Sequence, residues 1–214
     1  MSNKVLNGLR HAVLEYDLEG AAGWARKAVE VDTDPIEAMN ALTGAIRHVG
    51  DGFGKGELWL PDLVGASEAM LAATPIIEAE IARRGGDRAS LGTVVIGTVY
   101  GDIHSIGKAM VATLLSAEGF QVYDLGTNVT AGEFLRAIKE HNADILAMSA
   151  LMTTTVSQQS TVIEKLKEEG LRGNVKVMVG GAGVTQECAD SIGADGYDPT
   201  APGAAKLARK LIGR

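Results

Sequence analysis

From Leu91 onward, short apolar runs rich in β-branched residues alternate with amphipathic helical stretches. This alternation constrains the fold more than any other feature of the sequence. The apolar runs are Thr93–Val99, Gln121–Asp124, Asp144–Ser149, Lys176–Val179 and a short Gly196–Tyr197. Helical spacing predicts helices over Gly107–Glu118, Ala131–His141, Thr155–Glu169, Thr185–Ile192 and Pro202–Ile212. Strands and helices in strict alternation demand right-handed crossovers, and therefore a parallel sheet covered on both faces. The expected architecture of residues 91–214 is a five-stranded, flavodoxin-like (Rossmann-like) doubly wound sheet. Its ligand crevice lies at the C-terminal strand ends, where the strand order reverses between the first and third strands.

Residues 1–86 read differently. Leu6, Leu9, Val13 and Leu14 recur at helical spacing with Arg10 and Glu15 between them. A second helix is expected from about Leu18 to Val31. Asp34-Pro35 supplies an N-cap with Pro at the first helical position, starting a third helix that runs to about Phe53. A fourth starts near Pro61 and continues towards Arg84, with Pro75 expected to kink or interrupt it. Four helices on short links imply a small four-helix bundle. The polar, Gly-containing stretch from Arg83 to Ser90 lacks apolar periodicity and marks the domain boundary. The fold class is thus α/β with an N-terminal all-α part.

The net charge is −7 and no basic stripe is present, which argues against a nucleic-acid partner. Cys188 is the sole cysteine, so no disulfide can form within the chain; it reads as a small residue near a helix core rather than a nucleophile. The N-terminus lacks an apolar signal region, and no run approaches about 18 apolar residues. These features predict a cytoplasmic protein with no membrane partner. Aromatic residues make up only 4% of the chain and Gly numbers 27, so the core must be Val, Ile, Leu, Ala and Met, with Gly serving tight turns after strands.

Where the first strand meets its helix, the sequence reads Val99-Tyr-Gly-Asp-Ile-His-Ser-Ile-Gly-Lys108. Asp102 and His104 sit on that loop, two residues apart, flanked by Ile103 and Ser105. An imidazole at the C-terminal edge of a parallel strand can ligate a metal, and a neighbouring carboxylate can accept its other ring N–H and fix the tautomer. Gly107 lets the backbone come close to a large ligand. Taken alone, the stretch is better read as a polar loop with a hydrogen-bonded His. Two later pieces narrow the choice: Ser149-Ala-Leu151 ends the third apolar run, and Gly180-Gly181 ends the fourth. The spacing is not Gly-x-Gly-x-x-Gly after the first strand, which argues against a nicotinamide dinucleotide. Thr153, Thr154 and Thr155 follow consecutively and are suited to capping a helix. In the helical half, Phe53-Gly-Lys-Gly-Glu-Leu-Trp-Leu60-Pro61 places large apolar groups between glycines at a helix start. A hydrophobic staple and bundle core explain that segment, with Trp59 and Met70 as core residues.

The ordered set Asp102/His104/Gly107, Ser149/Leu151, Gly180/Gly181 resembles the cobalamin-binding signature of corrinoid methyltransferases and some mutases. The Thr run and Val179-Gly-Gly-Ala-Gly-Val-Thr-Gln186 are similar to the corrinoid methyl-carrier proteins of anaerobic methanol, methylamine and betaine systems, although those more usually have Pro where Gly183 stands. Phe53 and Leu60, seven residues apart and followed by Pro61, closely resemble the helical cap of the cobalamin-binding module of methionine synthase.

The resemblance implies a cofactor: cobalamin, as methylcobalamin or cob(I)alamin, or a related corrinoid. His104 would replace the cofactor's dimethylbenzimidazole as lower cobalt ligand, the base-off/His-on form. Asp102 and a hydroxyl residue would relay protons behind the His; counting from Ser149 puts that hydroxyl at Thr155, with Thr153 and Thr154 open as alternatives. Ser149, Leu151, Gly180, Gly181 and Ala182 would line a slot for the detached nucleotide arm. Phe53 and Leu60 would shield the methyl group on the upper face. The implied role is a non-catalytic carrier subunit that takes a methyl group from a substrate:corrinoid methyltransferase. It would deliver that group to a second methyltransferase whose acceptor is tetrahydrofolate or coenzyme M, with a reductive activation protein as a further partner. The alternative is the small subunit of an adenosylcobalamin-dependent mutase; the Phe53/Leu60 cap argues against it, because a bulky adenosyl group would collide with a close-fitting lid.

Overall fold

A computed structural model describes residues 2–85 and 90–213. Contacts divide the chain into two compact units, Met1–Ala89 and Ser90–Arg214. Residues 86–89 of the expected boundary stretch lie outside the described residues.

Among the described residues the first unit holds four helices: α1 (Ser2–Leu14), α2 (Leu18–Glu30), α3 (Pro35–Gly54) and α4 (Leu60–Arg83). Asp17 and Asp34 cap α2 and α3 by accepting the N–H of Gly20 and Ile36, and Pro35 stands at the start of α3 as expected. Helix α1 packs on α2 and α3, and α4 packs on the same two. Their shared core includes Leu9, Val13, Leu42, Ile46, Leu63 and Ile77, all essentially solvent-free. Helix α4 runs unbroken through Pro75. Burial of Ala73 and Ile77 on the flanking turns holds the helix against the bond that proline removes. By length and composition α4 could cross a membrane, with a mean hydropathy of 1.2 over its apolar window. Its buried face against α2 and α3 instead makes it a core helix. Met70 is buried, but Trp59 is 74% exposed and does not join the core: it is the N-cap of α4, in extended backbone, with its N–H held by Asp62 Oδ2 at 2.6 Å.

The second unit alternates β1 (Thr93–Thr98), α5 (Ile106–Glu118), β2 (Gln121–Asp124), α6 (Ala131–His141), β3 (Ile145–Ser149), α7 (Thr153–Glu168), β4 (Lys176–Gly180), α8 (Gln186–Ile192), β5 (Gly196–Tyr197) and α9 (Ala201–Leu211). All strand pairs are parallel, in the order β2-β1-β3-β4-β5. Order therefore reverses between β1 and β3, and their C-terminal residues Thr98 and Ser149 pair in register. Side chains alternate across the sheet. Val95, Leu146, Met148, Val177 and Val179 pack with Phe134, Ile138, Ile163 and Leu166 of α6 and α7. The intervening Ile96, Thr98, Ala147, Ser149, Met178 and Gly180 must face the opposite layer, where α5 packs against α9.

Candidate functional site

Asp102 organises the site. It lies on the β1–α5 loop, its side chain is inaccessible to solvent, and it draws together the two loops at the strand-order reversal. Its Oδ1 accepts the backbone N–H of His104 at 3.0 Å and pairs with His104 Nδ1 at 2.7 Å. Its Oδ2 accepts the N–H of Leu151 at 2.8 Å, that of Met152 at 3.3 Å and the Thr155 hydroxyl at 2.8 Å. Burial pushes this carboxyl up, but the bonds from His104, Leu151 and Thr155 outweigh it and hold the group well below the ordinary carboxylate range. An ionised carboxylate can only accept, so Nδ1 carries a proton, and in the neutral ring the lone pair is at Nε2.

The His104 side chain is 48% exposed while its partner is fully buried. Around it stand large apolar residues that water would not favour: Ile103 at 76% exposure, Ile106, Tyr100, Leu151 and Met152. Such a patch, rimmed by one free ring nitrogen, suits a broad apolar ligand carrying a metal. Among the described residues no cluster of three or more His, Cys, Asp or Glu could hold an ion. A single imidazole nitrogen beside an apolar surface is a donor set that would suit a metal already held in a macrocycle such as a corrinoid.

The Thr run has a different local role from the expected one. Helix α7 begins at Thr153, two residues earlier than the spacing predicts, and its N-cap is Met152, with no side-chain cap. Asp102 accepts the N–H groups of Leu151 and Met152 just before the helix. Of the three threonines Thr155 is buried and reaches Asp102, whereas Thr153 and Thr154 are exposed. Ser105 is the N-cap of α5 and Gly107 lies in its exposed first turn.

The glycines after β4 divide by function. A Cβ on Gly181, where φ is +111°, would lie 2.1 Å from the Ala150 carbonyl oxygen. This residue is glycine because two backbones meet there, and the same closeness to Leu151 holds at Gly183. A Cβ on Gly180 would meet only the Asp198 carbonyl at 3.7 Å, an ordinary contact, so a side-chain methyl group could stand here without strain. Gly180 pairs with Ser149 in register, both on the α5/α9 side of the sheet. Ala182 is exposed in the turn that follows. Phe53 and Leu60 belong to the helical unit, both half-buried, near the end of α3 and at the first residue of α4.

Three supports escaped the sequence reading. Thr98 Oγ1 donates to the His104 carbonyl at 2.9 Å. Lys108, nearly fully buried in the first turn of α5, is paired with both carboxylate oxygens of Asp124 at the end of β2. Asn128, on the β2–α6 loop, bonds to Gly101 and Asp102. A lysine amid apolar residues one position past Gly107 and an aspartate closing the second strand were the available signals for one of these; the other two left none.

Residues 92–206 match a B12 binding domain family, and residues 5–78 match a second B12 binding domain family. Trimethylamine corrinoid protein 1 of Methanosarcina mazei is 46% identical over 204 residues, which cover 94% of each chain. A corrinoid protein of Desulfitobacterium hafniense is 41% identical over 216 residues, 100% of each chain. Among solved structures, the methanol:cobalamin methyltransferase complex of Methanosarcina barkeri matches with a TM-score of 0.87 and 30% identity, over 98% of this chain and 80% of that one.

Proposed function

The chain belongs to the B12-binding family of corrinoid proteins, and from that membership we propose that its corrinoid is held base-off with His104 Nε2 as the lower cobalt ligand. The protein is a corrinoid methyl carrier of a methyltransferase system, and a methyltransferase is its partner. When bound, the corrinoid supplies the cobalt on which the methyl group travels. The chain's residues bind it, aim it and keep it dry.

The observation that carries the assignment is the His104 ring, tied at Nδ1 to the solvent-free Asp102 and presented among exposed apolar side chains. Asp102 fixes the tautomer, and Thr155, Leu151 and Met152 fix Asp102. Ser149 and Gly180, on the α5/α9 face, admit the detached nucleotide arm, with Leu151, Gly181, Ala182 and Thr153 bordering it, Ile103 and Ser105 on the ligand loop and Gly107 in the first turn of α5. By the family resemblance, Phe53 and Leu60 of the helical unit would shield the methyl group.

The second methyltransferase, with tetrahydrofolate or coenzyme M as acceptor, and a reductive activation protein complete the set of partners. In this reading the chain is a carrier subunit, with the catalytic sites on its partners, and works in the cytoplasm. Relatives named for trimethylamine and a complex named for methanol make methylated amines and methanol the donors to assay.

The test is reconstitution with cob(II)alamin followed by electron paramagnetic resonance. The wild-type protein should show cobalt lines split by one axial nitrogen, and His104→Ala should bind the corrinoid yet lose that splitting. Splitting that survives in His104→Ala would remove this residue as the ligand.

A further inference from the structure

Between Asp102 and Ser105 the ligand loop has no regular secondary structure, so single bonds set its position. Thr98 holds it from the end of β1, and the β3–α7 loop holds it through the Asp102 carboxylate. The third side belongs to Asn128. Its backbone N–H donates to the Asp102 carbonyl at 2.9 Å, and its Oδ1 accepts the Gly101 N–H at 2.8 Å. One residue thus clasps the backbone of two consecutive residues, Gly101 and Asp102, two positions before His104. The amide orientation follows from the donor it faces, since an N–H can only be met by the oxygen.

Asn128 adopts φ +57°, left-handed backbone that few side chains other than Asn and Asp tolerate. The β2–α6 loop that carries it is itself anchored. Gly126 accepts from Thr98 N–H at 2.9 Å, Val129 donates to the Thr98 carbonyl at 3.0 Å, and Asp124 takes the Gly126 N–H at 2.8 Å. Asn128 is therefore a fixed point against which the more exposed ligand loop is set.

We propose that Asn128 is a positioning residue for the axial ligand, acting through the Gly101–Asp102 backbone to keep His104 Nε2 aimed at the metal. The inference rests on His104 being the cobalt ligand. Cutting the clasp frees the peptide that carries the Asp102 carboxylate, and the imidazole bonded to that carboxylate moves with it.

Three variants separate side chain from backbone. Asn128→Asp keeps both the acceptor and the tolerance for left-handed backbone. Asn128→Gly keeps the backbone and deletes the acceptor. Asn128→Ser, whose hydroxyl is too short to reach, replaces the Gly variant if that one does not fold. Each is loaded with cob(II)alamin, and the axial-nitrogen splitting is recorded beside the melting temperature. Asn128→Asp should match the wild type. Asn128→Gly should bind the corrinoid with a several-fold larger share of cobalt lacking the nitrogen splitting. Full splitting in Asn128→Gly, whatever its melting temperature, would overturn the inference while leaving His104 as ligand. Absence of splitting in the wild type itself would overturn both.

Discussion

Thr155 Oγ1 donates to Asp102 Oδ2 at 2.8 Å, joining two residues 53 positions apart at the point where the strand order reverses. The same hydroxyl lies 2.9 Å from the Met152 carbonyl, one turn back along α7. A hydroxyl has one proton, and the carboxylate is the stronger acceptor, so the proton belongs to Asp102.

Thr155→Val keeps the shape and deletes that donor. The carboxylate retains its backbone donors, so the protein should still fold, at a cost of about 1–2 kcal/mol for the lost charged hydrogen bond. Melting curves should show the fall, and Thr155→Ser should recover most of it. Equal melting temperatures for the Val variant and the wild type would mean that the bond adds nothing.

Asp102→Asn should do more harm. The amide must turn its NH2 either towards the Leu151 and Met152 N–H groups, where donors would oppose donors, or towards His104, where it opposes the backbone N–H and faces Nδ1. The second choice makes Nδ1 an acceptor and moves the ring proton to Nε2, removing the lone pair a metal needs. A stability loss of roughly 2–4 kcal/mol is expected at neutral pH, together with loss of axial-nitrogen splitting in the cob(II)alamin form. The pH dependence has a definite sign. The Asp102 carboxyl is depressed in the folded state, so its stabilisation is complete above its ordinary value of 3.8 and declines as pH falls below that. Melting temperatures of the variant and the wild type should therefore converge under acid; a constant gap would deny the carboxylate its role.

Glu80 gives the helical unit its own acid sensitivity. It is buried near the end of α4 and accepts from Arg83 Nε at 2.6 Å and Arg84 Nε at 2.7 Å, while Arg84 also reaches Asp32 beyond α2 at 2.7 Å. The hydrogen bonds from Arg83 and Arg84 lower its carboxyl from 4.5 to about 2. Its stabilisation is full above pH 4.5 and is lost as pH falls through about 2. Glu80→Gln should lower the melting temperature at pH 7 and approach the wild type as pH falls towards 2. Circular dichroism melts at the two pH values check this, and a deficit unchanged between them would exclude the charge as the cause.

The sheet was legible because its signals are local and repeated: five apolar runs and five amphipathic stretches fix element type, and alternation fixes parallel pairing. The grouping of His104, Asp102 and a threonine hydroxyl was expected from the family resemblance, with the choice among Thr153, Thr154 and Thr155 open; the bond to Asp102 falls to Thr155. Burial turned two expectations around. Trp59 reads as core from its bulk, but an N-cap in extended backbone turns it outward. The threonines read as caps, yet the buried carboxylate of Asp102 takes the N–H groups ahead of α7. Asn128 and Thr98 were silent because their partners are backbone groups of a distant loop, and a sequence does not display which peptides will lie alongside.

Gly180 and Gly181 stand side by side in the sequence and should respond oppositely to one added methyl group. In Gly181→Ala the new Cβ meets the Ala150 carbonyl oxygen at 2.1 Å in a backbone conformation that side chains rarely adopt, with φ +111°. Ala150 cannot retreat easily, since its N–H donates to the Gly180 carbonyl at 3.0 Å and its side chain is buried. A loss on the order of 3 kcal/mol or more, with poor recovery of folded protein, is expected. In Gly180→Ala the nearest atom is 3.7 Å away, an ordinary contact, so the melting temperature of the cofactor-free protein should hold. The methyl group instead enters the space beside Ser149 that the nucleotide arm is proposed to use. Corrinoid affinity should fall about tenfold or more, equivalent to about 1.4 kcal/mol. Cobinamide, which has no nucleotide arm, separates the steric effect from any other: its affinity should be the same for Gly180→Ala and the wild type. A parallel loss for cobinamide would place the arm elsewhere.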